Sequence, residues 1–226
     1  MGWSDWIRGD AEVEPSLYAA DFLRLGEQLE SLLEAGVRLF HFDVGDGHFV
    51  PPVTIGPVVL RSIAPMIHAA GGILDCHLMV TDPAHHFEEI ASSGGDSVTF
   101  HVEVADDPAG VAARARELGL GVGVSFNPGT SPEDAAACAE RAGAEIVLCM
   151  SIEPGYSGQA FMPDALGRVA RLAELVSLPI QVDGGVGEDN VPALRAAGAS
   201  LLVAGSAVFG SGDPAGAYRR LVALAS

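Results

Sequence analysis

His41 and Asp43 stand two residues apart in "FHFDVGDGHF" (Phe40–Phe49), a run whose other early residues are those of a buried strand. Side chains at i and i+2 share one face of a strand, so an imidazole and a carboxylate point the same way. An unpaired buried carboxylate is costly, and something cationic has to meet it. His77 in "LDCHLMV" and Asp183 in "VDGGV" also fall near the ends of apolar bursts, as do Ser16, Asn127 and Ser151. Two imidazoles and two carboxylates suit a divalent ion such as zinc, iron(II), cobalt or manganese. His101-x-Glu103 repeats the form of His41-x-Asp43, and spacing alone does not rank one pair below the other.

The elements that must position these residues follow a rhythm. A helix-like segment, a glycine and a hydrophobic burst recur as "EAGVRLFHFD", "SSGGDSVTFH", "RAGAEIVLCM" and "AAGASLLVAG". Glycine after a helix and directly before an apolar run marks an αβ connection, and short apolar runs between helices are parallel strands covered on both faces. Strands are expected at Val13–Ser16, Arg38–Asp43, Ile73–Met79, Ser97–Glu103, Gly121–Phe126, Glu145–Met150, Ile180–Asp183 and Leu201–Gly205. Helical patterns lie between them, among them Phe22–Ala35, Pro108–Leu118, Pro132–Ala142 and Ala165–Val176. Eight such units without a linker predict a single (β/α)8 TIM barrel over residues 1–226, with residues 1–12 an N-terminal extension. A doubly wound sheet is the alternative, but no GxGxxG follows the first strand. In a barrel the chemistry sits where strands end, which brings the polar strand ends to one mouth.

Composition removes several functions. The formal net charge is −18 and all 12 cationic side chains are arginine. That argues against nucleic acid and anionic membrane as partners, and the lack of lysine excludes a Schiff-base mechanism. Arg24, Arg114, Arg168 and Arg195 fall in helical stretches and are expected to face water. Cys76, Cys138 and Cys149 show no pairing rhythm and read as small core residues of a reducing compartment. No apolar run is long enough for a membrane span, and "MGWSDWIRGD" lacks the apolar stretch of a signal peptide; a cytoplasmic protein is expected. Glycine loops, "EPGYSGQAF", "DGGVG" and "AGSAVFG", follow the sixth, seventh and eighth strands. Backbone N–H groups there can hold a phosphate without lysine.

The blocks "PSLYAADF", "FHFDVGDGHFVPPVTIG", "LDCHLMV", "MSIEPGYSGQAF", "VDGGV" and "VAGSAVFG" resemble, in order and spacing, the ribulose-phosphate 3-epimerase family, from Pro15 to Gly210. The resemblance implies a phosphate-binding TIM barrel that interconverts ketose phosphates at C3, D-ribulose 5-phosphate to D-xylulose 5-phosphate first. It implies one divalent ion, zinc before iron(II), manganese or cobalt, held by His41, Asp43, His77 and Asp183. It makes Asp43 and Asp183 the acid–base pair, has Ser16 touch substrate, and gives the phosphate to Gly155, Tyr156, Ser157 and Gly158, to Gly184 and Gly185, and to Gly205 and Ser206. It implies that His101-x-Glu103 is not a ligand pair, and that the chain assembles as a homo-oligomer, a dimer or a hexamer. The chemistry is self-consistent: epimerisation removes a proton on one face of a carbon and returns one on the other, which takes two flanking groups. Met79, with Met150, is expected to wall the intermediate. A six-carbon ketose phosphate such as D-allulose 6-phosphate is the alternative substrate, and a non-catalytic sugar-phosphate-binding paralogue the alternative role.

Around the mouth, His48 is expected to structure its loop, Asp46 either to cap its turn or, slightly preferred, to orient a metal-bound histidine, and His85 and His86 to lie at the surface. The chain departs from the family's usual pattern at Tyr18, Ala19, Gly45, Pro52 and Ser157. Gly45 stands where the family has methionine, and its missing side chain is expected to open space beside the metal, refilled by Tyr18 or used by a different sugar. Trp3 and Trp6 are expected either under the barrel floor or in a subunit contact.

Overall fold

The computed structural model describes residues 2–226. Among them, eight strands form one parallel sheet: β1 (Glu12–Pro15), β2 (Leu39–Gly45), β3 (Ile73–Met79), β4 (Ser97–His101), β5 (Gly121–Phe126), β6 (Ile146–Met150), β7 (Ile180–Asp183) and β8 (Leu201–Ala204). Their order is β1-β8-β7-β6-β5-β4-β3-β2, and a lone parallel bridge between Ser16 and His41 spans the gap from β1 to β2. The result is the expected (β/α)8 barrel. The helices are α1 (Trp3–Trp6), α2 (Leu25–Glu34), α3 (Pro57–Ala69), α4 (Pro83–Ser92), α5 (Pro108–Glu117), α6 (Pro132–Ala142), α7 (Ala165–Leu175), α8 (Val191–Ala197), α9 (Ser206–Phe209) and α10 (Pro214–Ala225).

Local sequence explains the helix ends. Asp82, Asp107, Ser131 and Asp213 each precede a proline and accept a hydrogen bond from a backbone N–H of the first turn, starting α4, α5, α6 and α10. A capping oxygen satisfies an orphan donor, and proline in the first position has no N–H to lose. Gly143 and Gly198 end α6 and α8 in the left-handed region, the conformation glycine adopts without steric cost.

Each strand buries two faces. Phe40, Phe42, Val44, Leu74, Leu78, Phe100 and Val124 point outward into the core shared with the helices. The inner face begins apolar. Leu39, Ile146 and Leu201, at the starts of β2, β6 and β8, form one cluster with Trp3 and Trp6, and Ile73 at the start of β3 packs on it. The Trp6 ring lies against Gly121, where a Cβ would come within 3.1 Å of it. The N-terminal extension thus plugs the barrel floor, the first of the two places expected for its tryptophans.

Three expectations need correction. β4 ends at His101, and a 3-10 turn over Val102–Val104 carries Glu103 off the strand. Phe22 and Leu23 lie outside α2 and are exposed, because the chain turns at Asp21, whose side chain accepts from the Leu23 N–H. Arg168 and Arg195 do not simply face water: Arg168 donates to the Met150 carbonyl, and Arg195 to those of Ala199 and Ala225. The three cysteines are free and buried, and no helix among the described residues is long and apolar enough to cross a membrane.

Candidate active site

The strand ends converge as expected. His41 Nε2 lies 3.2 Å from Asp43 Oδ1 and 3.9 Å from Asp183 Oδ2; His77 Nδ1 lies 3.2 Å and 3.6 Å from the same two oxygens. One donor atom from each residue falls within 4.8 Å of all the others. Tetrahedral coordination with bonds of about 2.1 Å separates ligand atoms by roughly 3.4 Å, so a divalent ion fits this spacing. His41 Nε2 is buried without a hydrogen-bond partner, which is how a lone pair reserved for a metal looks in the protein alone. Burial works against charge on His41, Asp43 and His77. On Asp43 the imidazoles of His41 and His77 outweigh it and hold the carboxyl far below its usual range. On His41 the Asp43 and Asp75 carboxylates outweigh it and raise the imidazole.

Both imidazoles are gripped from behind. His41 Nδ1 meets Asp75 Oδ2 at 3.1 Å. Asp75 also accepts from Ser97 Oγ at 2.8 Å and from Gln181 Nε2 at 3.0 Å. Gln181 Nε2 donates in turn to Glu14 Oε2 at 2.9 Å. Burial first, and then the Asp75 charge, push Glu14 up to about 8. His77 Nε2 meets His101 Nε2 at 2.9 Å, and His101 Nδ1 meets Glu103 Oε2 at 3.2 Å. Burial pushes the His101 imidazole down to about 4; Glu103 is held at about 2 because hydrogen bonds from His101, Thr130 and Asn127 outweigh its partial burial. Sequence reasoning missed Glu14, Asp75 and Gln181. A signal existed: Asp75 stands two residues before His77, on the same strand face.

Asp46 takes the first of its two expected roles, not the slightly preferred one. It does not reach a cluster histidine: Oδ1 accepts from the His48 and Phe49 N–H groups, and Oδ2 from the N–H and hydroxyl of Thr81. It caps its turn and ties that turn to the end of β3. His48, whose Nδ1 sits 3.0 Å from the Asp46 carbonyl oxygen, is part of that turn. His85 is exposed and His86 half-buried.

Above the cluster lies one pocket, lined by Asp43 and Asp183 together with Ser16, Met79, Gly155, Tyr156, Ser157, Gly158, Gly184, Gly185, Gly205 and Ser206. Tyr18, Met150 and Ile152 complete its walls. Its lining has no arginine, so an anion there would rely on backbone N–H and serine hydroxyl groups. Gly185 has φ of 62°, and a Cβ on it would come within 2.7 Å of the Phe161 backbone nitrogen; no larger residue fits this turn. Asp43 divides its oxygens. Oδ1 faces the imidazoles, and Oδ2 accepts from Ser16 Oγ at 2.6 Å.

The space expected beside Gly45 does not exist. A Cβ there would lie 2.9 Å from Val50 Cγ2 and 3.0 Å from both the Pro52 oxygen and Thr54 Cγ2. The Thr54 hydroxyl accepts from the Gly45 N–H at 2.6 Å and donates to the Asp43 carbonyl at 2.7 Å. The segment from Val50 to Thr54 therefore fills the place, and Tyr18 is not needed for it.

Fold and cluster together define a TIM barrel with a His/Asp cluster and a pocket at the C-terminal mouth, the end where barrel enzymes carry their chemistry. The sequence model of the ribulose-phosphate 3 epimerase family matches residues 12–209. The cytoplasmic isoform of ribulose-phosphate 3-epimerase from Oryza sativa subsp. japonica is 39% identical over 207 residues, 90% of each chain. The ribulose-phosphate 3-epimerase of Mycobacterium tuberculosis is 37% identical over 218 residues, 94% of this chain and 92% of its own. The chain belongs to the ribulose-phosphate 3-epimerase family, and is an isomerase of the epimerase type. Among solved structures, KGPDC from Streptococcus mutans superposes with a TM-score of 0.72 at 16% identity, covering 96% of this chain and 98% of that one. A 3-hexulose-6-phosphate synthase gives 0.68 at 22% identity, covering 96% and 100%. These two share the fold.

Proposed function

We propose that the protein interconverts D-ribulose 5-phosphate and D-xylulose 5-phosphate by proton transfer between two carboxyl groups, Asp43 and Asp183. The observation that carries this reading is their placement: they come from β2 and β7, on different sides of the barrel, and face the same pocket. Two groups that flank one carbon can take its proton from one face and return a proton to the other, with acid and base exchanging roles between directions. Ser16 holds Asp43 Oδ2 on the pocket side, the oxygen left free by the imidazoles. Met79, Met150 and Ile152 give the pocket an apolar wall, which keeps water from the reacting carbon. The loops of Gly155–Gly158, Gly184–Gly185 and Gly205–Ser206 receive the phosphate through neutral donors.

The residues fit one divalent ion, zinc first, held by His41 Nε2, His77 Nδ1 and the carboxylates of Asp43 and Asp183. Such an ion would act as a Lewis acid toward the oxygens on the two reacting carbons. The filled space at Gly45 removes the reason to favour a larger sugar.

The test is to incubate zinc-loaded protein with D-ribulose 5-phosphate in D₂O and follow the C3 proton by NMR. Loss of that signal with growth of D-xylulose 5-phosphate is expected, together with loss of both changes after chelation of the metal. Sugar-phosphate binding without exchange would overturn the catalytic reading; exchange only on D-allulose 6-phosphate would overturn the substrate.

A further inference from the structure

His101-x-Glu103 has the form of a ligand pair, yet His101 meets the back of His77 and Glu103 meets His101, and neither is among the four residues that could hold an ion. We propose that Glu103 and His101 set the tautomer of His77, so that Nδ1 and not Nε2 is the nitrogen His77 presents to a metal. This rests on the metal centre proposed above and adds two positioning residues to it.

The hydrogen bonds run inward from the rim. Glu103 Oε1 accepts from the Asn127 N–H at 2.8 Å and from the Thr130 hydroxyl. A backbone N–H can only donate, so Oε1 is fixed as an acceptor. The other oxygen, Oε2, faces His101 Nδ1 at 3.2 Å. Facing a carboxylate oxygen, Nδ1 carries the proton. A neutral imidazole has one N–H and one lone pair, which leaves His101 Nε2 an acceptor. His101 is buried, and the Phe49 ring packs on it with centroids 4.6 Å apart, so the ring is held in this orientation. Its Nε2 stands 2.9 Å from His77 Nε2. Of two ring nitrogens at that distance one must donate, and here it is His77. The remaining nitrogen, His77 Nδ1, faces Asp43 and Asp183; with Nε2 committed to donating, Nδ1 is the nitrogen whose lone pair an ion between those carboxylates would take in place of a proton.

The same logic makes an isosteric variant decisive. In Glu103→Gln the amide oxygen must stay with the Asn127 N–H, which places the NH₂ group against His101 Nδ1. His101 then carries its proton on Nε2, His77 accepts it on Nε2, and the His77 proton moves to Nδ1, where the metal belongs. Partners behind a ligating histidine commonly change metal affinity by about 10- to 100-fold, and a loss of that size is expected for Glu103→Gln.

The experiment uses the full chain with ¹⁵N-labelled histidine, metal-free and loaded with zinc. Long-range ¹H–¹⁵N correlation spectra read each tautomer, and chelator competition reads the zinc affinity. In the wild type, His101 is expected as the Nδ1–H form, and zinc-bound His77 as the Nε2–H form. In Glu103→Gln the His101 form reverses and zinc binds about 10- to 100-fold more weakly. Zinc-bound His77 ligating through Nε2, or Glu103→Gln with unchanged tautomers and unchanged affinity, would overturn the proposal. A wild type that takes up no zinc would overturn the metal centre itself. The metal-free spectrum still judges the tautomer chain in that case: His101 protonated on Nε2 alone overturns it.

Discussion

Leu39 and His41 are two residues apart on β2, as are Ile73 and Asp75 on β3, and each step crosses from one kind of barrel interior to another. Below, the inner face closes on Trp3 and Trp6 in an apolar plug. Above, β1, β2, β3 and β7 carry Glu14, His41, Asp75 and Gln181 and then the rest of the cluster, buried except for the half-buried Asp183. The upper layer keeps atoms that a core chosen for stability would not: His41 Nε2, Glu14 Oε1 and Gln181 Oε1 are buried without hydrogen-bond partners. Each such group costs on the order of 1–3 kcal/mol, whereas burying a large aromatic side chain contributes roughly that much in the other direction. The floor has unpartnered atoms of its own, Trp3 Nε1 and Trp6 Nε1, but each belongs to a large ring whose burial offsets the cost, whereas unpartnered imidazole, carboxylate and amide atoms collect at the mouth. Substitutions at the two ends should therefore separate catalysis from stability.

The largest effect is expected from Asp183→Asn. Removing one of the two proposed proton-transfer groups should slow C3 exchange by about 10³-fold, within the range such groups supply, while the melting temperature stays within about 3 °C, or about 1 kcal/mol for a chain of this size. A variant that unfolds instead would break the division between the ends. Trp3→Ala is the converse. It empties a fully buried site in the floor and should cost about 3–5 kcal/mol, seen as a lower urea midpoint. Exchange per folded molecule at 25 °C should stay within about twofold. A tenfold loss in folded protein would mean that the floor shapes the mouth after all.

Asp75→Asn probes the boundary between the two layers. The amide keeps the shape but removes the charge behind His41, so metal affinity should fall by about 10- to 100-fold, read by chelator competition. An unchanged affinity would assign Asp75 to the structural layer. Asp75 also shows where the sequence stopped being legible. The glycine-then-burst rhythm disclosed the strands, and their polar ends disclosed the cluster, because both signals lie within single segments. All ten residues expected to touch substrate line the one pocket. Glu14, Asp75 and Gln181 instead sit inside apolar bursts, and they become one network only when β1, β3 and β7 are brought together by barrel closure. The two roles open to Asp46 were ranked the wrong way for a related reason. Its partner Thr81 lies 35 residues away, and a carboxylate near a histidine motif looks the same in sequence whether it serves the ligand or the turn.

The smallest effect is expected at Gly45, where the sequence implied room and the structure shows none. An added Cβ would lie 2.9 Å from Val50 Cγ2 and 3.0 Å from the Pro52 oxygen and Thr54 Cγ2. The valine and threonine methyl groups can turn aside, but the backbone oxygen moves only with its loop. Gly45→Ala should therefore cost about 1–2 kcal/mol, the usual range for a modest overpacking, with a matching drop in urea midpoint. The strain falls on Thr54, whose hydroxyl joins the Gly45 N–H to the Asp43 carbonyl. Loosening that link frees the strand end that carries Asp43, so turnover should fall by several fold while zinc affinity holds within about threefold, less than 1 kcal/mol and below what loss of a ligand's direct support brings. If Gly45→Ala instead kept full stability and turned over a six-carbon ketose phosphate faster, the loop would be yielding space to substrate, and the mouth would be softer than the floor in a way the buried cluster does not suggest.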